Sequence, residues 1–231
     1  MRFSLVIGNK NYSSWSMRPW VLMRQYDIPF KEIRVRFDSF DRESDFKRQV
    51  LTINPVGTVP VLLDHEREGL AVGDSLAISD YLAECFPDRN LWPADPVARA
   101  RAHSICAEMH SGFWAMRSML AMNIEAHLPA AGQLVLRDHA AVRADVARLT
   151  NMWTELLLQS GGPMLFGEFS IADAYYAPVC MRMYSYEIPL PTDVKQYVNH
   201  VRQLVSVRQW IKEAEAEHDF VPMLEPYRLH R

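Results

Sequence analysis

The hydrophobic pattern of the first third of the chain switches between two periods. Phe3–Ile7 (FSLVI) is an apolar run of strand length. Residues 31–37 (KEIRVRF) alternate Ile33, Val35 and Phe37 against charges, the period-two signature of a half-buried strand. Between them, from about residue 16 to residue 26, Met17, Val21 and Leu22 recur at helical spacing until Pro29 stops the helix. The charged stretch SFDRESDFKRQVL predicts a short helix. VPVLLD and GLAV read as two strands joined by the polar link HERE, a hairpin. DSLAISDYLAECF then places Ile78, Tyr81, Leu82 and Cys85 on one helix face. The predicted order is β-α-β-α-β-β-α. Crossover helices imply parallel pairing, the hairpin closes the sheet antiparallel, and a mixed sheet with helices packed on it follows.

At Pro87 the character changes. PDRNLWPADP holds three prolines in ten residues and reads as a linker. No strand pattern follows it. VARARAHSICAEMHSGFWAMRSMLAMN predicts one long helix, with Ile105, Met109, Phe113, Met116 and Leu120 on a single stripe. A second long helix is predicted from about residue 134 to 159, through Val142, Val146, Leu149, Trp153 and Leu156, and SGGP ends it. A third begins at Ser170, and two more run over about 194–204 and 206–218. The expected organisation is an α+β domain over residues 1–86, a linker over 87–96, and an all-helical domain over 97–231.

Composition narrows the class. Of 231 residues, 49% are hydrophobic and 23% charged, as in a globular protein of one or two domains. A net charge of -3 carries no nucleic-acid footprint. No run approaches the roughly 18 apolar residues of a membrane span. The apolar N-terminal stretch is too short for a signal peptide, so the cytoplasm is expected. Cys85, Cys106 and Cys180 lie far apart with no CxxC, which predicts helix-face or core thiols. His103 and His110 fall on one helix face with no third ligand near, so no metal is expected.

Three segments carry candidate chemistry. In NPVGTVPVLLD, Pro60 cannot donate to a sheet ladder and belongs at an edge or a first position. Either it is a trans proline beginning an edge strand, or the Val59–Pro60 bond is cis and leaves the Val59 N–H and C=O facing outward to pair with an extended peptide. In GDSLAI, Asp74 or Ser75 caps a helix. That same helix N-terminus can bind a carboxylate, aided by the Ser75 hydroxyl, while Asp74 holds an ammonium beside it. A carboxylate beside an amine is an amino-acid headgroup. The third segment, NYSSWSMRPW, crowds serines at a strand-to-helix junction. Pro19 lacks an N–H and fits best in a first turn. With Ser16 as N-cap it stands at N3, whereas with Ser13 as N-cap it stands at N6 and a hydrogen bond is lost. Ser16 is therefore the expected cap, leaving Ser13 and Ser14 free in the loop. A thiolate there would feel the positive end of the helix, and a serine O–H donor would lower its pKa further. Arg18 either adds charge or is a solvated helix residue. Elsewhere, Ser170 and Asp173 in FSIADA form a capping box, a structural feature worth about 1–2 kcal/mol.

In combination and order, TVPVLLD, GDSLAISDYL, LWP and FSIADA resemble the cytosolic glutathione transferase superfamily over essentially the whole chain. The resemblance implies a thioredoxin-like N-terminal domain, a helical C-terminal domain and a homodimer. It implies that Val59, before a cis Pro60, pairs with the cysteinyl part of glutathione, that Asp74 and Ser75 hold the γ-glutamyl group, and that a basic residue, Lys47 or Arg48, meets the glycine carboxylate. SSWS is similar to the serine motif of the zeta and tau-like classes, which makes Ser13 the catalytic residue with Ser14 second. Trp15 stands where the zeta pattern has cysteine, which sets the chain apart from the zeta isomerisation of maleylacetoacetate and from omega-type reductases. The implied activity is glutathione S-transfer to an apolar electrophile, held by Trp15, Met109, Phe113, Trp114 and Arg117, with bundle core as the alternative place for Met109 and Phe113. The rival readings are a glutathione-binding regulatory or chaperone-like protein, and a glutathione-dependent isomerase or peroxidase.

Overall fold

The computed structural model describes residues 1–231. β1 (Phe3–Ile7) is buried at every position because it lies inside the sheet with both faces covered. It pairs in parallel with β2 (Phe30–Arg34), Phe3 opposite Phe30, and antiparallel with β3 (Val61–Asp64), Val6 opposite Val61. β3 pairs antiparallel with β4 (Leu70–Gly73), giving the order β2-β1-β3-β4. The intervening helices are α1 (Ser14–Gln25) and α2 (Asp45–Leu51), and α3 (Ser75–Cys85) follows the hairpin. The predicted βαβαββα order and mixed sheet are observed, a thioredoxin-like arrangement.

Seven helices complete the chain: α4 (Pro96–Ser111), α5 (Trp114–Met119), α6 (Pro129–Asp138), α7 (Ala140–Ser160), α8 (Ile171–Ser185), α9 (Thr192–Gln203) and α10 (Val205–Ala216). None is long and apolar enough to cross a membrane. The two long helices expected from periodicity are each broken. The first stops at Gly112, and Phe113 turns left-handed at φ +56° before α5 starts. The stripe from Ile105 to Leu120 is buried throughout, so its periodicity reports burial and is blind to the break. The second starts earlier, at Pro129, and breaks at His139, which is extended.

The start of α1 also differs from expectation. Ser13, not Ser16, is the N-cap residue: its carbonyl accepts from the Met17 amide at 3.1 Å, although its side chain makes no cap bond. The chain is already turned by then, because the Ser13 amide donates to the Asn9 carbonyl at 2.8 Å. Pro19 therefore sits inside the helix and one backbone bond is lost. Every residue of α1 from Ser16 to Met23 is buried between the sheet and α8, and this packing outweighs the missing bond.

One hydrophobic core runs through both halves of the chain, from Leu5 and Ile7 through Met17 and Trp20 to Tyr175 and Tyr176 of α8. A smaller cluster of Val6, Val35, Phe37 and Phe46 covers the opposite sheet face, as alternation along β1 requires. The capping box of α8 is present as predicted. Cys106 and Cys180 are core thiols and Cys85 is half-buried on α3.

Candidate active site

A cleft of about 930 Å³ opens between the thioredoxin-like domain and the α4–α5 corner. The start of α1 contributes Ser13, Ser14 and Trp15 to it, α2 contributes Lys47, and the loop before β3 contributes Val59 and Pro60. Asp74 and Ser75 enter at the start of α3, and Trp114 and Arg117 from α5. Met109 and Phe113, expected in the substrate wall, do not line it. They are 1% and 6% exposed and belong to the core with the rest of their stripe. A second cleft, about 1030 Å³ between α7 and α9, is lined by none of the residues singled out from the sequence.

The Val59–Pro60 bond is cis. The Val59 amide and carbonyl engage no other backbone group, so both remain available on the cleft wall. Asp74 caps α3, its Oδ1 accepting from the amides of Leu76 (2.8 Å) and Ala77 (3.3 Å), while the Ser75 amide stays unpaired. Asp74 holds φ at +75°, a sparsely populated conformation costing about 1–3 kcal/mol. Its Oδ2 lies 3.5 Å from His110 Nε2. Of the two basic candidates, Lys47 faces the cleft, its Nζ donating to the Gly57 carbonyl at 2.7 Å, whereas Arg48 pairs with Asp45 on the exposed side of α2.

The serines are arranged as a relay. Ser16, buried in the first turn, accepts from the Gly8 amide at 3.2 Å and from the Ser13 hydroxyl at 2.7 Å. Ser13 is buried but lines the cleft, and the half-buried Ser14 lines it beside Ser13.

Arg18 is neither solvated nor ion-paired. It is 2% exposed, donates through Nη1 to the Ser75 hydroxyl at 3.2 Å, and leaves its buried Nε without a partner. Its guanidinium stacks on Trp15 at 4.2 Å and on Tyr175 at 3.9 Å. Burial pulls its pKa down, and the neighbouring Arg117 pulls it further. Burial likewise lowers Arg117, and brings Arg182 behind it to about 9. Arg182 is held by the carbonyls of Leu120 (2.8 Å) and Pro178 (3.0 Å) rather than by a carboxylate. Arg18 and Arg117 thus both stand over Trp15, and no carboxylate is among the charges that shift these three guanidiniums.

Sequence reasoning missed several participants. The Tyr175 hydroxyl joins Ser75 Oγ (3.1 Å) to His110 Nδ1 (2.8 Å), tying α3, α4 and α8 together under the cleft. His110 also packs edge-on against Trp15. Tyr12 bonds Glu225 at 2.6 Å, and that anchor brings Leu224 to the cleft from near the C-terminus. For Tyr175 the available signal was its place within the first turns after the capping box. For Leu224 there was none.

Sheet order, cis-proline loop and interdomain cleft define a thioredoxin-like domain joined to an all-helical one. Residues 12–85 match the family described as Glutathione S-transferase, N-terminal domain. The chain is 30% identical over 111 residues to a probable maleylacetoacetate isomerase of Caenorhabditis elegans, covering 48% of each protein. It is 25% identical over 134 residues to a stringent starvation protein A homologue of Pasteurella multocida (strain Pm70), covering 58% of this chain and 56% of that one. The chain thus spans about half the length of these two curated relatives. A glutathione transferase homologue from Burkholderia, solved with bound glutathione, superposes with a TM-score of 0.67 at 24% identity, over 93% of this chain and 98% of the other. Residues 12–85 thus carry a glutathione S-transferase N-terminal domain, and the chain as a whole shares the fold of that glutathione transferase homologue.

Proposed function

We propose that the protein is a glutathione S-transferase acting on an electrophile held beside Trp15. One observation carries this reading: a single cleft gathers an unpaired Val59 backbone, the Asp74 carboxylate beside the free Ser75 amide, Lys47, and serine hydroxyls at the N-terminus of α1. Those groups match a γ-glutamyl-cysteinyl-glycine peptide part by part. Asp74 takes the ammonium, the Ser75 amide and hydroxyl take the neighbouring carboxylate, Val59 pairs with the cysteinyl backbone, and Lys47 takes the glycine carboxylate. Glutathione supplies the thiol that attacks the electrophile.

Ser13 turns its O–H from Ser16 toward the sulfur, and the Ser16 O–H, still anchored by the Gly8 amide, becomes the donor to Ser13 Oγ. A polarised serine donor, the positive end of α1 and the Arg18 charge all favour thiolate over thiol. Ser14 stands second to Ser13 in this role.

Calorimetric titration with glutathione tests the binding half. The expected result is saturable one-site binding, weakened roughly ten- to a hundredfold in Asp74→Asn. Asparagine keeps the helix cap but loses the charge-assisted bond to the ammonium, worth about 1.5–3 kcal/mol. A wild-type chain that does not bind glutathione overturns the reading.

One observation favours a second reading, a glutathione-binding protein with little transferase activity: the Ser13 hydroxyl is already engaged by Ser16. A panel of electrophiles decides, because on this second reading glutathione binds and none is conjugated. The working unit is a homodimer, so sedimentation should give twice the mass of the chain, and a clean monomer counts against it.

A further inference from the structure

Arg117 is an unspent cation in the substrate half of the cleft. Its Nη1 donates to the carbonyls of His110 (3.2 Å) and Gly112 (3.1 Å) at the end of α4, which fixes where the side chain stands. Its guanidinium lies 4.8 Å from the Trp15 ring and 5.1 Å from that of Trp114, so two indoles flank it. Only burial and Tyr175 shift its charge, and no carboxylate pairs with it. Behind Trp15, Arg18 is buried and equally without a carboxylate, and its Nε has no partner at all. Desolvating two like charges against one ring is unfavourable unless something anionic comes beside them. Neither guanidinium has an ion-pair partner in the chain, and the Asp74 carboxylate of the same cleft faces His110 instead. An apolar electrophile has no use for such a field. A planar anion does, since a guanidinium binds a carboxylate through two parallel N–H donors while stacking on aromatic faces.

The geometry points to an acidic acceptor substrate: a planar, aromatic or conjugated electrophile bearing a carboxylate, held by the Nε and Nη2 edge of Arg117 with its plane against Trp15 or Trp114. This rests on the transferase reading above, in which Lys47 and Ser75 take the two carboxylates of glutathione and leave Arg117 unassigned. It adds a charge requirement to the expected apolar acceptor. The indoles supply stacking, and the cation supplies selection.

The test compares an acid with its neutral methyl ester. Binding of a dinitrobenzoate and of its ester is followed by tryptophan fluorescence, with and without saturating glutathione. The acid should bind at least tenfold more tightly. Turnover is then measured with the chlorodinitrobenzoate whose carboxylate is para to chlorine, and with its ester. The sulfur–carbon bond forms, the carbon–chlorine bond breaks, chloride leaves with the electron pair, and the thiol proton goes to solvent. Each catalysed rate is divided by the spontaneous one. The acid-to-ester ratio of these enhancements should exceed ten, fall toward unity in Arg117→Gln, and survive in part in Arg117→Lys. Equal binding of acid and ester to the wild type overturns the proposal, and that readout needs no variant to fold. A preference that persists in Arg117→Gln also overturns it, as does an Arg117→Gln chain whose glutathione affinity falls tenfold while the acid-to-ester ratio holds. If glutathione binds but neither probe is conjugated, the transferase reading fails, and the binding preference alone decides the charge proposal.

Discussion

Ser13→Ala should bind glutathione within about tenfold of the wild-type affinity and conjugate it roughly a hundredfold more slowly. On the proposed reading, peptide recognition is spread over Val59, Asp74, Ser75 and Lys47, none of which bonds the Ser13 hydroxyl, which is engaged by Ser16. What the variant loses is one donor aimed at charge on sulfur, and removing one such preorganised donor costs about 10²–10³ in kcat. The pH profile should move as well. With the donor gone the bound thiol ionises at higher pH, so the rising limb of kcat shifts toward alkaline pH while glutathione binding at neutral pH changes little. Ser16→Ala should show the same signature at smaller amplitude, because it removes the partner of the donor rather than the donor. Unchanged kcat in Ser13→Ala would pass the role to Ser14, which lines the cleft beside it. Absent turnover in the wild type, with glutathione bound, would favour the binding-protein reading.

The second large effect is on stability. Asp173 is fully buried and accepts from the amides of Leu165 (3.1 Å) and Ser170 (3.0 Å), the Ser170 hydroxyl (3.3 Å) and the Tyr197 hydroxyl (3.1 Å). Asp173→Ala strands several of these donors in the core at about 1–3 kcal/mol each, so a loss of roughly 3–5 kcal/mol is expected. That exceeds the cap alone, because the carboxylate also ties the loop before α8 to α9. Burial raises the Asp173 pKa to about 6, above its ordinary value of 3.8. Between about pH 4 and 6 the folded chain keeps a proton that the unfolded chain has released. The contribution of this group to stability is therefore fully present below about pH 4, falls as pH rises through 6, and is flat above. Urea unfolding of the wild type and of Asp173→Asn should show it: the wild type gains on the variant when pH drops from 7.5 to 5. A gap that does not change with pH would mean that burial does not hold this carboxyl in its protonated form.

Most of the thioredoxin-like half was legible in the sequence, and the reasons are local. Alternation in KEIRVRF, the apolar run FSLVI and the VPVLLD–GLAV pair each report a face or a turn within a few residues. The helical half was legible as helical and as buried, yet its breaks were not. Phe113 is apolar and on stripe, so nothing in its neighbourhood announces a left-handed residue. Pro19 misleads for a related reason: one lost backbone bond decides the start of an isolated helix, whereas α1 is buried along most of its length.

The candidate site divides along the same line. The sequence could single out Ser13, Val59, Pro60, Asp74 and Ser75, which line one cleft, because each sits where backbone chemistry is constrained by its immediate neighbours: a helix start, a proline, a cap. His110 and Tyr175 were not legible as site residues, and Arg18 was legible only as either an added charge or a solvated helix residue, because their roles exist only through partners far along the chain. Arg18 meets Ser75 across 57 positions, and Tyr175 meets it across 100. By itself the sequence determined the element order of the thioredoxin-like half, the hairpin and the capping box of α8, since periodicity, proline geometry and side-chain capping act over about four residues. Only the tertiary structure decided that Met109 and Phe113 belong to the core, that Ser16 backs Ser13 rather than capping α1, and that unpaired guanidiniums surround Trp15. Those outcomes depend on which surfaces meet when α1 is enclosed between the sheet and α8, and burial of that kind has no short-range signature.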